Sequence, residues 1–236
     1  MAHWHRSANH IRRLYSKLFP FPCLLCGLPC PHSAVCDACR GDLPRIKHAC
    51  QRCALPLNSA QICGQCQQSP PIQQRTLSLY LYEGTVRRCI TAFKYQQRFY
   101  LAEFFAQAFI QQLPLAPLPD CIVPIPLHRR RLWQRGYNQS LLVAQAIARS
   151  LNIPCCPEYL KRIRPTAPQE NLNAQQRRQN LRHAFICPVD KVPQHIALFD
   201  DVITSGATCE EACRLLQKHG ANQLDVWTLA RTVHHA

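Results

Sequence analysis

The chain has 236 residues, 47% of them hydrophobic, with 28 Lys plus Arg against 13 Asp plus Glu, a formal charge of +15 and a pI near 9.4. That composition excludes a disordered chain, and the length allows one ordinary domain plus a smaller module. No apolar run reaches the roughly eighteen residues of a membrane span, and the first residues lack the apolar core and small-residue cleavage site of a signal peptide. A cytoplasmic protein without membrane insertion is therefore expected. The basic surplus favours polyanionic partners: nucleic acid, phosphorylated ligands or an acidic membrane surface.

The first predicted element is a basic surface helix carrying Trp4, Ile11, Arg12, Arg13, Leu14 and Leu18, docked on its own protein. A cysteine block follows: nine of the sixteen cysteines fall between Cys23 and Cys66. Cys23, Cys26, Cys36 and Cys39 have the spacing CxxC-x9-CxxC, and a shift of 27 residues generates Cys50, Cys53, Cys63 and Cys66. Leu28-Pro29 and Leu55-Pro56 repeat in the same register, which points to two copies of one unit.

Two cysteines separated by two residues can turn both sulfurs toward one ion, and two such knuckles close a tetrahedral thiolate shell. Without a secretory signal, zinc is favoured over disulfides or redox dithiols. Two structural zinc ions are expected, lowering the charge from +15 to +11. Sequential pairing within each repeat is favoured, with a cross-braced pairing of the first and third knuckles as the alternative. Cys30 has no counterpart in the repeat, where Leu57 stands, and reads as a spare thiol.

The polar, proline-bearing stretch around residue 70 marks the expected boundary, with a zinc-binding module over 1–70 and a second domain over 71–236. In that domain 76–82 reads as a strand, and 99–113 as an amphipathic helix with Leu101, Phe104, Phe105, Ala108 and Phe109 on one face. Residues 121–126 form a proline-broken strand, and a helix over 139–151 is capped by Asn138. Residues 195–199, apolar on both faces, read as a central parallel strand. Helix 206–219 carries Cys209, Ala212, Cys213 and Leu216 on one face, so both cysteines read as core. Cys89, Cys121, Cys155, Cys156 and Cys187 read likewise, and 224–230 closes the domain as a strand. The alternation predicts an α/β fold, a parallel sheet with helices on both faces and a ligand site at the carboxyl ends of its strands.

At one such end, Asp200 and Asp201 follow the strand, and Thr204, Ser205, Gly206, Ala207 and Thr208 turn into a helix. Helix-start N–H groups and hydroxyls suit a monophosphate. Two carboxylates beside it suit the vicinal hydroxyls of a ribose, with Mg2+ as an added partner. A ribose bearing a 5′-phosphate meets both needs.

The run "IALFDDVITSGAT" resembles the 5-phosphoribosyl-1-pyrophosphate (PRPP) signature of type I phosphoribosyltransferases. The resemblance assigns Asp200 and Asp201 to the ribose hydroxyls, with a catalytic role, and Thr204 to Thr208 to the 5′-phosphate. The cysteine knuckles, "FKYQQRF" (93–99), "VPIPLHRRRLWQRGYNQS" (123–140) and "RPTAPQENLNAQQRRQNLRHAF" (164–185) extend the likeness to the ComF/ComFC/GntX family, over nearly the whole chain after residue 20. That family pairs a zinc module with a phosphoribosyltransferase-like domain and is associated with DNA uptake and utilisation in competent bacteria.

The resemblance implies PRPP binding with Mg2+ and competence proteins as partners. It places His128 and Arg129 in a pyrophosphate loop and Arg135, Gly136, Tyr137 and Asn138 beside it. Thr204 stands where hypoxanthine-type enzymes carry an acid, which argues against a 6-oxopurine substrate. The stretch 164–182, with Thr166, Gln169 and Arg177, reads as a lid or a solvated basic loop. Three functions follow: phosphoribosyl transfer to an unidentified acceptor, PRPP sensing without catalysis, or single-stranded DNA binding through the basic clusters at 129–135, 161–164 and 177–182.

Overall fold

The computed structural model describes residues 22–30, 33–58, 61–114, 117–164 and 183–233. The helix expected at the N-terminus and Thr166, Gln169 and Arg177 of the expected lid or basic loop lie outside them. Two compact units form, Met1–Leu43 and Pro44–Ala236, and they divide inside the cysteine block. The first cysteine set and helix α1 (Asp37–Gly41) belong to the smaller unit, and the second set with α2 (Gly64–Gln68) to the larger.

In the larger unit β1 (Arg75–Leu81), β2 (Cys121–Pro124), β5 (His195–Ile203) and β6 (Gln223–Arg231) build one sheet in the order β1-β6-β5-β2, every pairing parallel. A two-stranded antiparallel ribbon, β3 (Lys161–Arg162) with β4 (Phe185–Ile186), stands apart from it. The central strands β5 and β6 are buried almost throughout, as strands covered on both faces must be.

Alternation along the strands sorts two cores. Ile196, Leu198, Leu224 and Val226 pack with Ala212, Cys213 and Leu216 of α7 (Ala207–Lys218). On the other face Phe199 and Trp227 meet Phe109 of α4 (Leu101–Ile110), ring centroids 5.9 and 5.3 Å apart. Complete burial of such side chains contributes about 1.5–3 kcal/mol each. Helix α6 (Gln139–Leu151) packs on α4, β2 and β5, and its N-cap Asn138 accepts from Ser140 and Leu141 N–H at 3.0 and 3.4 Å. Among the described residues two further α-helices are α3 (Gly84–Tyr95) and α5 (Arg129–Arg135).

Strand β5 is longer than expected. It runs past Phe199 to Ile203 because β6 keeps pairing with it, Asp200 opposite Thr228 and Ile203 opposite Arg231. Both acids therefore sit within the strand and alternate across it. Helix α3 was not anticipated, although Val86, Cys89, Ile90 and Phe93 line its buried face at helical spacing.

Both sheet edges are covered. The Leu81 N–H donates to the Pro44 carbonyl at 2.8 Å and the Ile46 N–H to that of Leu79 at 3.0 Å, laying 44–46 antiparallel on β1. At β2, Ile122 exchanges hydrogen bonds of 2.9 Å with Pro154 and Cys156.

Candidate functional site

Each cysteine set gathers within its own repeat, which selects sequential pairing over the cross-braced alternative. The sulfurs of Cys23, Cys26, Cys36 and Cys39 lie within 4.8 Å of one another, and so do those of Cys50, Cys53, Cys63 and Cys66. A tetrahedral ion with bonds of about 2.3 Å requires sulfur separations of about 3.8 Å. Cys26–Cys36 and Cys53–Cys63 both measure 3.7 Å, so the residues fit zinc.

The backbone repeats as faithfully. Cys23 N–H donates to Leu28 O and Gly27 N–H to Cys23 O, while Cys50 N–H donates to Leu55 O and Ala54 N–H to Cys50 O. The turn residue is left-handed in both copies, Gly27 at φ 77° and Ala54 at φ 57°. An N–H···S bond recurs from Cys36 to Cys23 at 3.4 Å and from Cys63 to Cys50 at 3.3 Å. Burial opposes a charge on Cys23 and Cys50, but the backbone donors prevail and pull the thiols down to about 6 and about 7. Cys30 is buried outside the four-sulfur group. Each set fits one structural zinc ion as a four-thiolate shell, which would leave no open coordination position.

At the other candidate site the two acids differ. Asp201 is 5% exposed and faces α3 and α6, where Lys94 Nζ approaches Oδ1 at 2.9 Å and Gln139 Nε2 donates to Oδ2 at 2.5 Å. Burial opposes the Lys94 charge, but Asp201 outweighs it and holds the ammonium above its ordinary value. Asp200 is half-buried, and its Oδ1 accepts from Ser140 Oγ at 3.3 Å and from the Asp201 N–H at 2.8 Å. Burial, with the Asp201 charge beside it, pushes Asp200 up to about 7.

Thr204 to Gly206 form the turn after β5. Gly206 is the N-cap of α7 at φ 81°, a conformation that favours glycine, and Ala207 N–H donates to Ser205 Oγ at 3.4 Å. Thr208 lies in the first turn of α7, whose leading N–H groups have no acceptor within the helix. Asp200 and this loop therefore share the carboxyl end of one central strand.

His128 and Arg129 follow β2, the strand beside β5. His128 caps α5, its Nδ1 accepting from Arg130 N–H at 3.3 Å, and Arg129 is exposed. Tyr137 donates its hydroxyl to the Phe93 carbonyl, and Asn138 donates to Ile125 O at 3.0 Å. Arg162 stands near Asp200 and Arg131, and burial lowers it from its ordinary value.

Lys94 and Gln139 were missed as site residues: both look like ordinary helix positions until β5 brings Asp201 between them. A second gathering was also missed. Tyr95, Phe99 and Trp133 are 65%, 49% and 87% exposed, Arg135 stacks 4.8 Å from the Tyr95 ring centre, and Phe99 meets Tyr137 edge-on at 4.7 Å.

Comparison with known proteins bears on the cysteine sets and on the kinship of the whole chain. Residues 14–67 match the double zinc ribbon domain. The chain is 34% identical over 223 residues to the DNA utilization protein YhgH of Salmonella typhi, covering 91% of this chain and 98% of that one. It is 34% identical over 226 residues to competence protein F of Haemophilus influenzae, covering 91% and 99%. Competence protein ComFC of Bacillus subtilis is 27% identical over 218 residues, covering 86% of each. With two zinc-ribbon units ahead of a parallel α/β sheet and this kinship along most of its length, the chain belongs to the ComF family.

Proposed function

We propose that this protein binds PRPP, or a related phosphorylated ribose, at the carboxyl end of β5 and acts in DNA uptake and utilisation. The observation that carries the ligand assignment is the placement of Asp200 one turn ahead of a glycine-capped helix start. Asp200 accepts the ribose hydroxyls, while backbone N–H groups and hydroxyls from Thr204 to Thr208 take the 5′-phosphate. Asp201, neutralised by Lys94, holds the strand end in place. His128 and Arg129 meet the pyrophosphate, and Mg2+ supplies charge neutralisation when bound with it.

In phosphoribosyl transfer the bond from C1 of the ribose to pyrophosphate breaks as an acceptor lone pair forms the new bond. The chain's part is to hold the ribose and stabilise the departing charge. The DNA role draws on the names of the relatives, DNA utilization protein and competence protein.

Calorimetric titration of PRPP with Mg2+ tests the site. Binding by the wild type that is lost in Asp200→Asn is the expected result. Equal binding by both, or binding by neither, refutes the reading.

The exposed aromatic and basic face around Tyr95, Phe99, Trp133 and Arg135 favours a second activity, contact with single-stranded DNA through stacked bases. Each stacked base contributes about 1–3 kcal/mol, so Trp133→Ala should weaken binding to a labelled thymine oligonucleotide by about tenfold. An unchanged anisotropy curve refutes stacking at Trp133.

A further inference from the structure

The second cysteine set lies against the loop that ends β5. A pocket of about 70 Å3 is lined by Cys53 and Cys66 of that set, by Ser205 and Gly206 of the loop, and by Arg231 at the end of β6. Arg231 is 9% exposed, and its Nη1 donates to the Thr204 carbonyl at 2.6 Å. Its Nε has no hydrogen-bond partner among the described residues.

A guanidinium buried this far requires compensating negative charge. Cys53 and Cys66 of the second set line the same small pocket as Arg231, so the set's thiolates are placed to supply that charge when they hold a metal. When the set holds zinc, four thiolates and one dication leave a fixed net charge of −2 beside the guanidinium.

Both ends of this connection are anchored. On the metal side, Thr76 donates from N–H to Gln51 O at 2.7 Å and from Oγ1 to Arg52 O at 2.6 Å, fixing the third knuckle to β1. On the loop side, Thr232 N–H donates to Ile203 O at 3.0 Å, so the turn departs from a fixed strand end. Between them the Arg231 side chain holds the first carbonyl of the turn, two residues before the left-handed Gly206.

We propose that Arg231 is a positioning residue that ties the geometry of the 204–208 loop to metal occupancy of the second cysteine set. The metal state of that set would then govern how well the loop holds a phosphate group, a consequence that rests on the phosphate reading above. The second set acts through Arg231 and the Thr204 carbonyl.

The test is amide hydrogen exchange across residues 200–210 in the full chain, with zinc content measured for every variant and ribose 5-phosphate titrated in parallel. Arg231→Met should keep its zinc and yet raise exchange at the loop by about tenfold or more. Arg231→Lys, which keeps the charge without the forked donor, should recover part of that protection. Cys63→Ser should reproduce the Arg231→Met pattern, and Cys36→Ser, which empties the first set, should leave the loop unchanged.

Unaltered loop exchange in zinc-replete Arg231→Met overturns the proposal, and so does an equal rise in Cys36→Ser. If wild-type protein ignores ribose 5-phosphate while the exchange pattern holds, the phosphate reading falls and the tie stands. If ribose 5-phosphate binds wild type and Arg231→Met equally well, the tie is refuted and the phosphate reading survives.

Discussion

Replacing Lys94 with methionine separates the roles of the two adjacent acids. Lys94 Nζ is 2.9 Å from Asp201 Oδ1, and the two side chains are 16% and 7% exposed. Methionine keeps most of the apolar stem and removes the ammonium. The Asp201 carboxylate is then buried with Gln139 as its one side-chain donor among the described residues. Breaking a buried pair from one side costs about 3–5 kcal/mol, because the remaining charge has no counter-ion. Adding Asp201→Asn removes that stranded charge and leaves an acceptor for Gln139, so the double variant should recover about 1–3 kcal/mol.

Urea denaturation of the wild type, both single variants and the double variant gives the coupling energy directly. Ribose 5-phosphate titration supplies the functional half: the double variant should retain binding, whereas Asp200→Asn should lose it. A Lys94→Met cost below about 1 kcal/mol with additive effects in the double variant would show that the pair is not the buried anchor inferred here. Equal loss of ligand in the double variant and in Asp200→Asn would refute the division of labour between the acids.

Asp200 predicts a pH dependence of definite sign. Its folded carboxyl is raised to about 7, so it favours the folded state most below the unfolded carboxylate value of about 4, and that contribution is lost as pH rises through about 7. Asp200→Asn should therefore raise the denaturation midpoint more at pH 8 than at pH 4.5, and the reverse order would contradict burial as the cause. For the metal sites, mass spectrometry under native conditions should find one zinc fewer in Cys36→Ser and no change in Cys30→Ser. Equal loss in both would make Cys30 a ligand.

The features legible in the sequence are those written locally. The 27-residue repeat announced two metal sets, and each set closes within its own repeat because the knuckle and its partner are held by short-range backbone bonds. The stripe from Cys209 to Leu216 marked α7, and the side-chain oxygen of Asn138 marked the start of α6. What remained hidden depends on partners far along the chain.

Strand β5 outruns its apolar stretch because β6 continues to pair with it, and pairing register leaves no local signal. The environment of Asp201 comes from Lys94 and Gln139, on two helices that meet only across the sheet. The aromatic face left no local signal for the same reason: Tyr95 and Phe99 precede Arg135 and Tyr137 by about forty residues and meet them in space. Arg231, at the far end of the last strand, had no motif to identify it.

The two covered sheet edges limit how this molecule associates. An exposed parallel edge invites another chain to add a strand by backbone pairing, the route used by many peptide ligands and by aggregates. Here 44–46 occupies that position on β1, and 154–156 occupies it on β2. A peptide seeking strand addition finds both positions filled by the protein's own chain. A partner of the larger unit must instead recognise side chains on helices and loops, so surface substitutions can disrupt its binding without disturbing the sheet.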